Sequence, residues 1–411
     1  MIIFKFGGAS VKDANSIRNL AEILKTYENQ SPFVVISAMG KMTNFLERIA
    51  ECGYNQKSET GQLLTQFHDQ HLTVCKDLCL KDLSQLNRWF EELEGNINAS
   101  SCGFSEYYDQ IIPFGELYST YIIASYLSST LPHVQWIDAR EVIATDDHFR
   151  GAQVDWDATG QRIADLKVRK SIYITQGFIG ACQDWKMTSL GREGSDYSAA
   201  IFASCLNAEE VVFWKDVPGI MNADPKLFSN AEKFDLLSYQ EATEMTYYGA
   251  KVIHSKTLKP LAQKKIPLKV KSFIEPSEVG TTIFEETQEK FLPTYVFRPN
   301  QVLVTLKSRS NEFTDEKLLI EILTILDKIG VRLNMMQRSA LSFSFCTDDE
   351  DDVVEEIHRH FQGNFEMYYN EGLQLATVKN FNKESLASLP SAKEVLLEQI
   401  TRFNYQRLFK I

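Results

Sequence analysis

The sequence predicts an α/β protein with a larger N-terminal region, residues 1–285, and a smaller α+β region, residues 299–411. In the first region, short runs of β-branched and aromatic residues alternate with amphipathic helical patterns. This alternation is typical of a three-layer α/β/α sandwich, in which helices cover both faces of a mostly parallel sheet. Beyond a polar, turn-rich stretch near 285–298, the predicted elements follow the order β-α-β-β-α-β. That order is typical of a ferredoxin-like unit.

The strands predicted for the first region are apolar almost throughout, which is typical of parallel strands covered on both faces. They span residues 2–6, 33–37, 134–139, 171–180, 209–214 and 267–273. The helices predicted between them include residues 16–27, 43–53 and 196–206. Ligands of such folds bind at the carboxyl ends of the strands, so the turns that follow these strands form the candidate site.

The strands predicted for the smaller region are VLVTLKS, RLNMMQRS, LSFSFCT and LQLATVKN. The helices between them are DEKLLIEILTILDKIG and DDVVEEIHRHF. For the tail that begins at Glu384, the pattern predicts one helix and a last strand.

Composition restricts the partners and the compartment. The chain has 55 acidic and 43 basic residues and a net charge of −12, which argues against nucleic acid or an anionic membrane as a partner. Its seven cysteines, an odd number without CxxC spacing, fit a reducing compartment. No apolar run is long enough to cross a membrane, and the chain opens with a strand rather than a secretion leader. We therefore expect a cytoplasmic protein.

Lys5 lies in the first predicted strand, and Gly7 and Gly8 follow it. A lysine beside a glycine-rich turn suits a phosphate, because its ammonium group and the backbone N–H groups neutralise phosphate charge. Taken alone, the pattern better fits a lysine of an edge strand before a tight turn. The chain has no GxxxxGK[ST] motif, which excludes a P-loop. After the second strand, Ser37 and the Gly40 amide either face a phosphate or belong to an ordinary loop before the next helix.

Gly191 and Gly194 bracket Arg192, and Ser195 and Asp196 stand where the N-cap of a helix is expected. The guanidinium fork of an arginine suits a carboxylate, and an aspartate here has the chemistry to hold Mg²⁺ or to order a phosphate donor. The alternative is a capped helix with an exposed arginine.

Three further segments each allow two interpretations. Glu116, in PFGELYS, is either a surface glutamate in the first turn of a helix or a ligand for an ammonium group. Segment 213–226 contains two turn signals and either frames a nucleotide or is simply a loop. Lys251 either meets a phosphate or is a solvated lysine.

Taken in this order, several blocks resemble those of the aspartate kinases of the amino-acid kinase family. They are KFGGASV, SAMGKMTN, FGELYS, TQGFIG, TSLGREGSDYSAA, WKDVPGIMNADPK, YYGAKVIH and VKSFIEPSEVGTTI, across residues 2–283. The resemblance implies the amino-acid kinase fold for residues 1–285 and an ACT-type regulatory region for residues 299–411. It also implies phosphorylation of the L-aspartate side chain by ATP with Mg²⁺. The product would be 4-phospho-L-aspartate, which leads to lysine, threonine and methionine.

Carried over position by position, the resemblance implies catalytic roles for Lys5 and Asp196. The residues that it implies for aspartate binding are Glu116, Arg192 and Ser195. Those that it implies for ATP binding are Gly7, Gly8, Ser10, Ser37, Lys215, Asp216, Met221, Asp224, Lys226 and Lys251. No protein ligand is assigned to Mg²⁺, which is expected to arrive with ATP.

The chain departs from the family's pattern at Glu193, where glycine is usual, at Lys215, where threonine is common, and at Lys226, where arginine is common. If Glu193 turns inward, its charge beside Arg192 should weaken substrate binding.

The resemblance implies one full ACT unit, at about residues 301–378, and a truncated second one. We therefore expect feedback inhibition by lysine or threonine to be weakened, altered or absent. An open sheet edge also favours a homodimer paired through this region. The chain is too short for a fused homoserine dehydrogenase, so a monofunctional kinase is expected.

Overall fold

A computed structural model of the chain describes residues 1–99, 102–250, 253–285, 292–309, 313–350 and 352–410. They form two compact units. The first comprises Met1–Ile220, Lys233–Thr243 and Val252–Glu289, and the second comprises Met221–Glu232, Glu244–Lys251 and Lys290–Ile411. Two short segments of the N-terminal region thus group with the C-terminal unit. Among the described residues, no helix is long and apolar enough to span a membrane, and all seven cysteines are free thiols.

An eight-stranded sheet lies at the centre of the first unit. Its strands are β1 (Ile2–Phe6), β2 (Phe33–Ile36), β3 (Val134–Ile137), β4 (Ile172–Gln176), β7 (Glu210–Lys215), β8 (Leu236–Ser238), β9 (Leu268–Ser272) and β10 (Thr281–Phe284), and β5 (Ile179–Ala181) pairs separately with β6 (Met187–Ser189). The order across the sheet is β3-β4-β2-β1-β7-β9-β10-β8. The six neighbouring strands β3, β4, β2, β1, β7 and β9 run parallel to one another. The strands β10 and β8 run antiparallel to them.

Helices cover both faces of this sheet. They are α1 (Ala14–Thr26), α2 (Met42–Tyr54), α3 (Thr60–Asp77), α4 (Ser84–Asn98), α5 (Phe104–Asp109), α6 (Phe114–Thr130), α7 (Ala139–Val142), α8 (Trp156–Asp165), α9 (Gly194–Leu206), α10 (Tyr239–Tyr248), which continues into the second unit, and α11 (Ser255–Lys264). On one face, Phe4 packs edge-on against Tyr27 with the ring centroids 4.9 Å apart. On the other face, Phe33 packs on Phe202 of α9 at 4.7 Å. The predicted α/β/α sandwich is confirmed.

Side chains alternate along a strand, so neighbouring positions of β1 face different helical layers. Phe4 and Phe6 belong to the large apolar core. Lys5 pairs in register with Val35 and Phe213 and faces the other layer, which contains α9. The interpretation of Lys5 as a lysine of an edge strand is wrong, because β1 is bonded to a strand on each side.

The predicted strand 171–180 is two strands, because the chain turns after Gln176. A methyl group on Gly177 would lie 2.6 Å from Cβ of Ser195. The absent side chain therefore lets the first turn of α9 approach this turn closely.

The second unit contains a six-stranded antiparallel sheet. Its strands are β11 (Thr294–Ser308), β12 (Met335–Arg338), β13 (Ser342–Asp348), β14 (Phe365–Lys379), β15 (Glu394–Ile400) and β16 (Asn404–Lys410), and its remaining helices are α12 (Glu316–Lys328), α13 (Val353–Phe361) and α14 (Lys383–Ala387). The order across the sheet is β12-β13-β11-β14-β16-β15. The elements from β11 to β14 form the predicted ferredoxin-like βαββαβ unit.

The tail forms the short helix α14 and two strands, rather than the single strand predicted. β16 pairs with Gln374–Lys379 of β14 on one side and with β15 on the other. β16 therefore covers the free edge of β14, and β15 becomes the outer strand on that side of the sheet.

The turn after β1 packs tightly against the turn after β2. A methyl group on Gly8 would lie 2.7 Å from the carbonyl oxygen of Gly40 and 2.8 Å from that of Ala38. We expect Gly8→Ala to lower the free energy of unfolding by about 1–3 kcal/mol, because backbone atoms must shift. Gly61→Ala is the matched control, since its methyl group meets nothing within 4 Å in α3. Urea denaturation measures both, and equal stabilities would contradict the tight packing.

Candidate active site

A cavity of about 510 Å³ opens at the carboxyl ends of the parallel strands. The predicted site residues that line it are Lys5, Ser37, Glu116, Arg192, Ser195, Asp196 and Lys215. The chain passes from β1 to β2 on one side and later returns to β7 on the other side of β1. Connections that run to opposite sides of one strand leave a crevice at the carboxyl ends of the strands. Ligands bind in this crevice in open α/β sheets.

Three charged side chains meet in this cavity. The Lys5 ammonium lies 2.6 Å from Oδ1 of Asp196, and the Lys215 ammonium lies 3.5 Å from Oδ2 of the same carboxylate. Burial alone would raise the pKa of Asp196, but the charges of Lys5 and Lys215 and their hydrogen bonds outweigh it and hold that pKa below its usual value. Asp196 is therefore ionised at neutral pH and fixes both ammonium groups.

The start of α9 differs from its prediction. Glu193, rather than Ser195 or Asp196, is the N-cap residue, and its side chain does not cap the helix. Glu193 has a φ of +54°, so the chain turns in the left-handed region and the helix begins at Gly194. Ser195 and Asp196 therefore lie within the first turn, where Asp196 points to Lys5 instead of bonding the helix amides. A left-handed backbone is the conformation that glycine adopts without strain.

Glu116 is buried, with 2% of its surface exposed, so its interpretation as a surface glutamate is wrong. It lies in the first turn of α6, whose residues are buried over most of its length. The Ala38 amide donates to Oε1 at 3.2 Å, whereas Oε2 has no hydrogen-bond partner among the described residues. Burial raises the pKa of Glu116 to about 8, although that hydrogen bond opposes the rise. Glu116 is therefore protonated at neutral pH, and a cation beside Oε2 would ionise it.

The glycine turn after β1 is held by hydrogen bonds within the turn and to two neighbouring segments. The Ser10 amide donates to the Gly7 carbonyl at 2.9 Å, and the Ser10 hydroxyl donates to the Trp214 carbonyl at 3.3 Å. The Gly40 amide donates to the Gly8 carbonyl at 3.0 Å. The interpretation of the Gly40 amide as a phosphate ligand is therefore wrong, because that donor is already bonded. Gly7 lies beside Lys5, since a methyl group on it would be 3.5 Å from Nζ.

Arg192 is exposed on the cavity wall and forms no hydrogen bond or ion pair with the residues that the structure describes. Its five N–H donors are thus available to a ligand. Glu193 also lines the cavity and is exposed. Ser195 is almost completely buried beside them.

The cavity is not lined by four further predicted ATP-binding residues, Asp216, Met221, Asp224 and Lys226. Asp216 is exposed at the end of β7. Met221, Asp224 and Lys226 belong to the second unit, where Oδ1 of Asp224 accepts the Lys226 amide at 2.9 Å. Lys251 lies outside the described residues. For all five, nucleotide binding stays a prediction.

The sequence interpretation missed several residues of the cavity. They are Thr43, Glu47, Tyr108, Arg150, Phe178 and Ser189. Arg150 and Tyr108 come from the connection before β4 and from α5, neither of which carries a recognisable motif. Tertiary packing alone brings them to this wall.

The cavity is suited to anionic ligands. Its lining residues include neither histidine nor cysteine. Lys5, Arg150, Arg192 and Lys215 supply positive charge. Among the described residues, no three His, Cys, Asp or Glu side chains are grouped to hold a metal ion. The arrangement can therefore align and screen anions, which is what phosphoryl transfer requires.

Comparison with known proteins identifies the family. Residues 1–272 match the sequence model of the amino acid kinase family. The chloroplastic aspartokinase 1 of Arabidopsis thaliana is 30% identical over 386 residues, which cover 87% of this chain and 67% of that protein. The lysine-sensitive aspartokinase 3 of Escherichia coli is 32% identical over 355 residues, which cover 85% of this chain and 78% of that protein.

Solved structures agree with the sequence comparison. The R-state crystal structure of Escherichia coli aspartokinase III, in complex with aspartate and ADP, has a TM-score of 0.84 and 27% identity, covering 100% of this chain and 96% of that one. Its T-state, in complex with lysine and aspartate, has a TM-score of 0.79 and 28% identity, with the same coverage. The chain therefore belongs to the amino acid kinase family and, within it, to the aspartokinases.

Proposed function

We propose that this chain is a monofunctional aspartate kinase. It transfers the γ-phosphoryl group of ATP to the side-chain carboxylate of L-aspartate and releases 4-phospho-L-aspartate and ADP. The observation that carries the proposal is the convergence of Lys5, Lys215 and Asp196 with Glu116 and Arg192 around one cavity. An Escherichia coli relative has been solved with aspartate and ADP bound, which supports the same ligands here.

The reaction needs no general base. The aspartate side chain has a pKa of about 3.9 and is already ionised at neutral pH. One of its oxygens attacks the γ-phosphorus, and the bond from that phosphorus to the bridging oxygen of ADP breaks. The barrier lies in bringing two anions together, so preorganised positive charge is the main requirement. Lys5 supplies that charge at the transferred group, and Asp196 holds it in position.

Glu116, Arg192 and Ser195 bind aspartate in this proposal. The guanidinium group of Arg192 forms a fork with the α-carboxylate. The α-ammonium group meets the unpartnered Oε2 of Glu116, which then loses its proton. A cation beside a buried carboxyl group favours its charged form, so binding and ionisation occur together.

ATP binding is proposed for the remaining predicted residues. Gly7, Gly8, Ser10 and Ser37 lie at or beside the carboxyl ends of β1 and β2, where a phosphate chain would meet Lys5 and Lys215. The proposal also assigns to nucleotide binding the residues Asp216, Met221, Asp224, Lys226 and Lys251. The ATP phosphates would carry Mg²⁺, which would neutralise part of their charge.

The wider setting is also a proposal. Residues 1–285 form the catalytic domain, and residues 299–411 form the ACT-type region with one full unit and an incomplete second one. β12 is an outer strand of the sheet, and Met336 on it is half exposed. An open strand of this kind supports a homodimer through this region. The protein acts in the cytoplasm, at the start of lysine, threonine and methionine synthesis.

The function is tested by ATP-dependent hydroxamate formation with hydroxylamine. We expect aspartyl hydroxamate from L-aspartate and none from glutamate or N-acetylglutamate, because the cavity fixes the distance from Arg192 to the reacting carboxylate. Lysine and threonine are added in parallel wells to measure feedback inhibition. A folded protein that binds ATP but gives no product from aspartate would refute the proposal.

The Lys5–Asp196 pair provides a sharper test of mechanism. We expect Lys5→Ala to lower kcat about 10²–10³-fold, the usual loss for a preorganised electrostatic contact. Lys186→Ala is the matched control, because Lys186 also lies 2.6 Å from a carboxylate, that of Glu106, but outside the cavity. Steady-state kinetics of both variants decide the matter. If both retain the wild-type kcat, Lys5 does not stabilise the transferred group.

Glu116 predicts a pH dependence of stability. Its pKa rises from 4.5 to about 8 on folding, so the folded state binds the extra proton between these values. Stability is therefore lost as pH rises through this window, by at most about 1.4 kcal/mol per pH unit. We expect the melting temperature of Glu116→Gln to exceed that of the wild type increasingly up to pH 8, and by a constant amount above it. Thermal unfolding without amino acids measures this.

Saturating L-aspartate is the second arm of that experiment. Its ammonium group pairs with ionised Glu116, so aspartate should stabilise the wild type more than the glutamine variant. A melting-temperature difference that does not change with pH would show that Glu116 is ionised in the ligand-free protein.

A further inference from the structure

Arg150 lines the same cavity as Arg192 and has no role in the function proposed above. Its side chain is exposed, and the guanidinium group forms no hydrogen bond or ion pair with any residue that the structure describes. Its backbone has a φ of +67°, a left-handed conformation that is disfavoured for residues with a Cβ atom. An arginine keeps this backbone conformation only where the surrounding residues hold it.

A buried carboxyl group holds the Arg150 backbone in place. Oδ2 of Asp109 accepts the Arg150 amide at 2.8 Å and the Ser189 amide at 2.9 Å, and Oδ1 accepts the Ser189 hydroxyl at 2.6 Å. Asp109 is completely buried. Strained backbone persists where the surrounding structure over-determines it, and such positions concentrate at ligand sites.

The Arg150 side chain is also held. Its guanidinium carbon lies 4.6 Å from the ring centroid of Tyr108 and 5.7 Å from that of Phe104. The Tyr108 hydroxyl donates to Oε1 of Glu47 at 2.7 Å, which fixes the ring. A guanidinium stacked on an aromatic face keeps its N–H edge free for a carboxylate.

The turn that carries Arg150 packs on the turn that carries Arg192. The Ala152 amide donates to the Ser189 carbonyl at 2.9 Å. A methyl group on Gly191, whose φ is +76°, would lie 3.2 Å from the Arg150 carbonyl oxygen. Two guanidinium groups, neither paired with a carboxylate of the described chain, are thus presented from adjacent turns to one cavity.

We propose that Arg150 is a second specificity-determining arginine of this site, which binds the substrate carboxylate that is not phosphorylated together with Arg192. The inference rests on the proposed function. It deepens that function, because two guanidinium groups would select acceptors with a second carboxylate. Aspartate has this group, whereas 3-aminopropanoate retains the amine and the reacting carboxylate but lacks it.

The test uses Arg150→Gly, which removes the guanidinium group and relieves the left-handed strain, so the variant is expected to fold. Calorimetry with the full chain measures the Kd of L-aspartate and of 3-aminopropanoate. We expect the Kd of aspartate to rise about 10- to 100-fold, the usual range for a lost hydrogen bond to a charged group. The Kd of 3-aminopropanoate should change less than threefold. Arg150→Lys should give an intermediate value for aspartate.

Arg162→Ala is the matched control. Its guanidinium also lies over an aromatic ring, 5.2 Å from the centroid of Trp185, but outside the cavity lining. It should leave both dissociation constants unchanged. In steady-state kinetics, Arg150→Gly should raise KM for aspartate while kcat and KM for ATP stay within threefold.

An unchanged Kd for aspartate in Arg150→Gly would overturn the inference, as would an equal rise for both ligands. Failure of the proposed function has a different signature, namely a wild-type protein that forms no aspartyl hydroxamate. Because calorimetry does not depend on turnover, it decides the role of Arg150 in that case too. A wild type that does not bind aspartate at all would overturn both.

Discussion

The site depends on one buried ion pair, between Lys5 of β1 and Asp196 of α9, at 2.6 Å. Charged groups are buried at a cost, so the pair persists only where the fold brings its partners into contact. Two glycines allow this contact, because they let neighbouring segments approach closely. Gly177 leaves space for Ser195, and a methyl group on Gly194 would lie 2.7 Å from the Phe178 ring. The first turn of α9 can therefore approach the end of β1 closely enough to form the pair.

This pair also explains how an acidic protein can bind two anions. The net charge of −12 repels them at long range, so attraction must come from a short-range arrangement. Asp196 is matched by the ammonium groups of Lys5 and Lys215. Glu116 is predominantly protonated at neutral pH without a ligand, because burial raises its pKa to about 8. The carboxyl groups of Asp196 and Glu116 therefore add little repulsion toward an anionic ligand. They do not offset the positive charges of Arg150 and Arg192.

The sequence predicted most of the first sheet because its strands are uniformly apolar and separated by amphipathic helices. Motifs at the strand ends also pointed to several side chains that line the cavity, such as Lys5 and Arg192, but not to all of them, since Asp216 lies outside the lining. The sequence did not predict the burial of Glu116, because the packing of α6 against the sheet is set by distant residues. It placed the N-cap of α9 wrongly, since a left-handed Glu193 has no local signal. The left-handed backbone of Arg150 has no local signal either. It is held by a hydrogen bond to Asp109, a buried residue of another element.

The second unit shows how the long strands β11 and β14 serve two sets of elements. β12, β13, β11 and β14 have the ferredoxin-like order, and β16 and β15 extend the same sheet from Gln374–Lys379 of β14. The pairing of β11 with β14 is irregular at Gln301, where one set gives way to the other. Gln301 is completely buried; its amide nitrogen donates to Asp348 and its oxygen accepts from Asn334. Because both sets share these two strands, the buried hydrogen bonds of Gln301 hold the place where the pairing of β11 with β14 changes register.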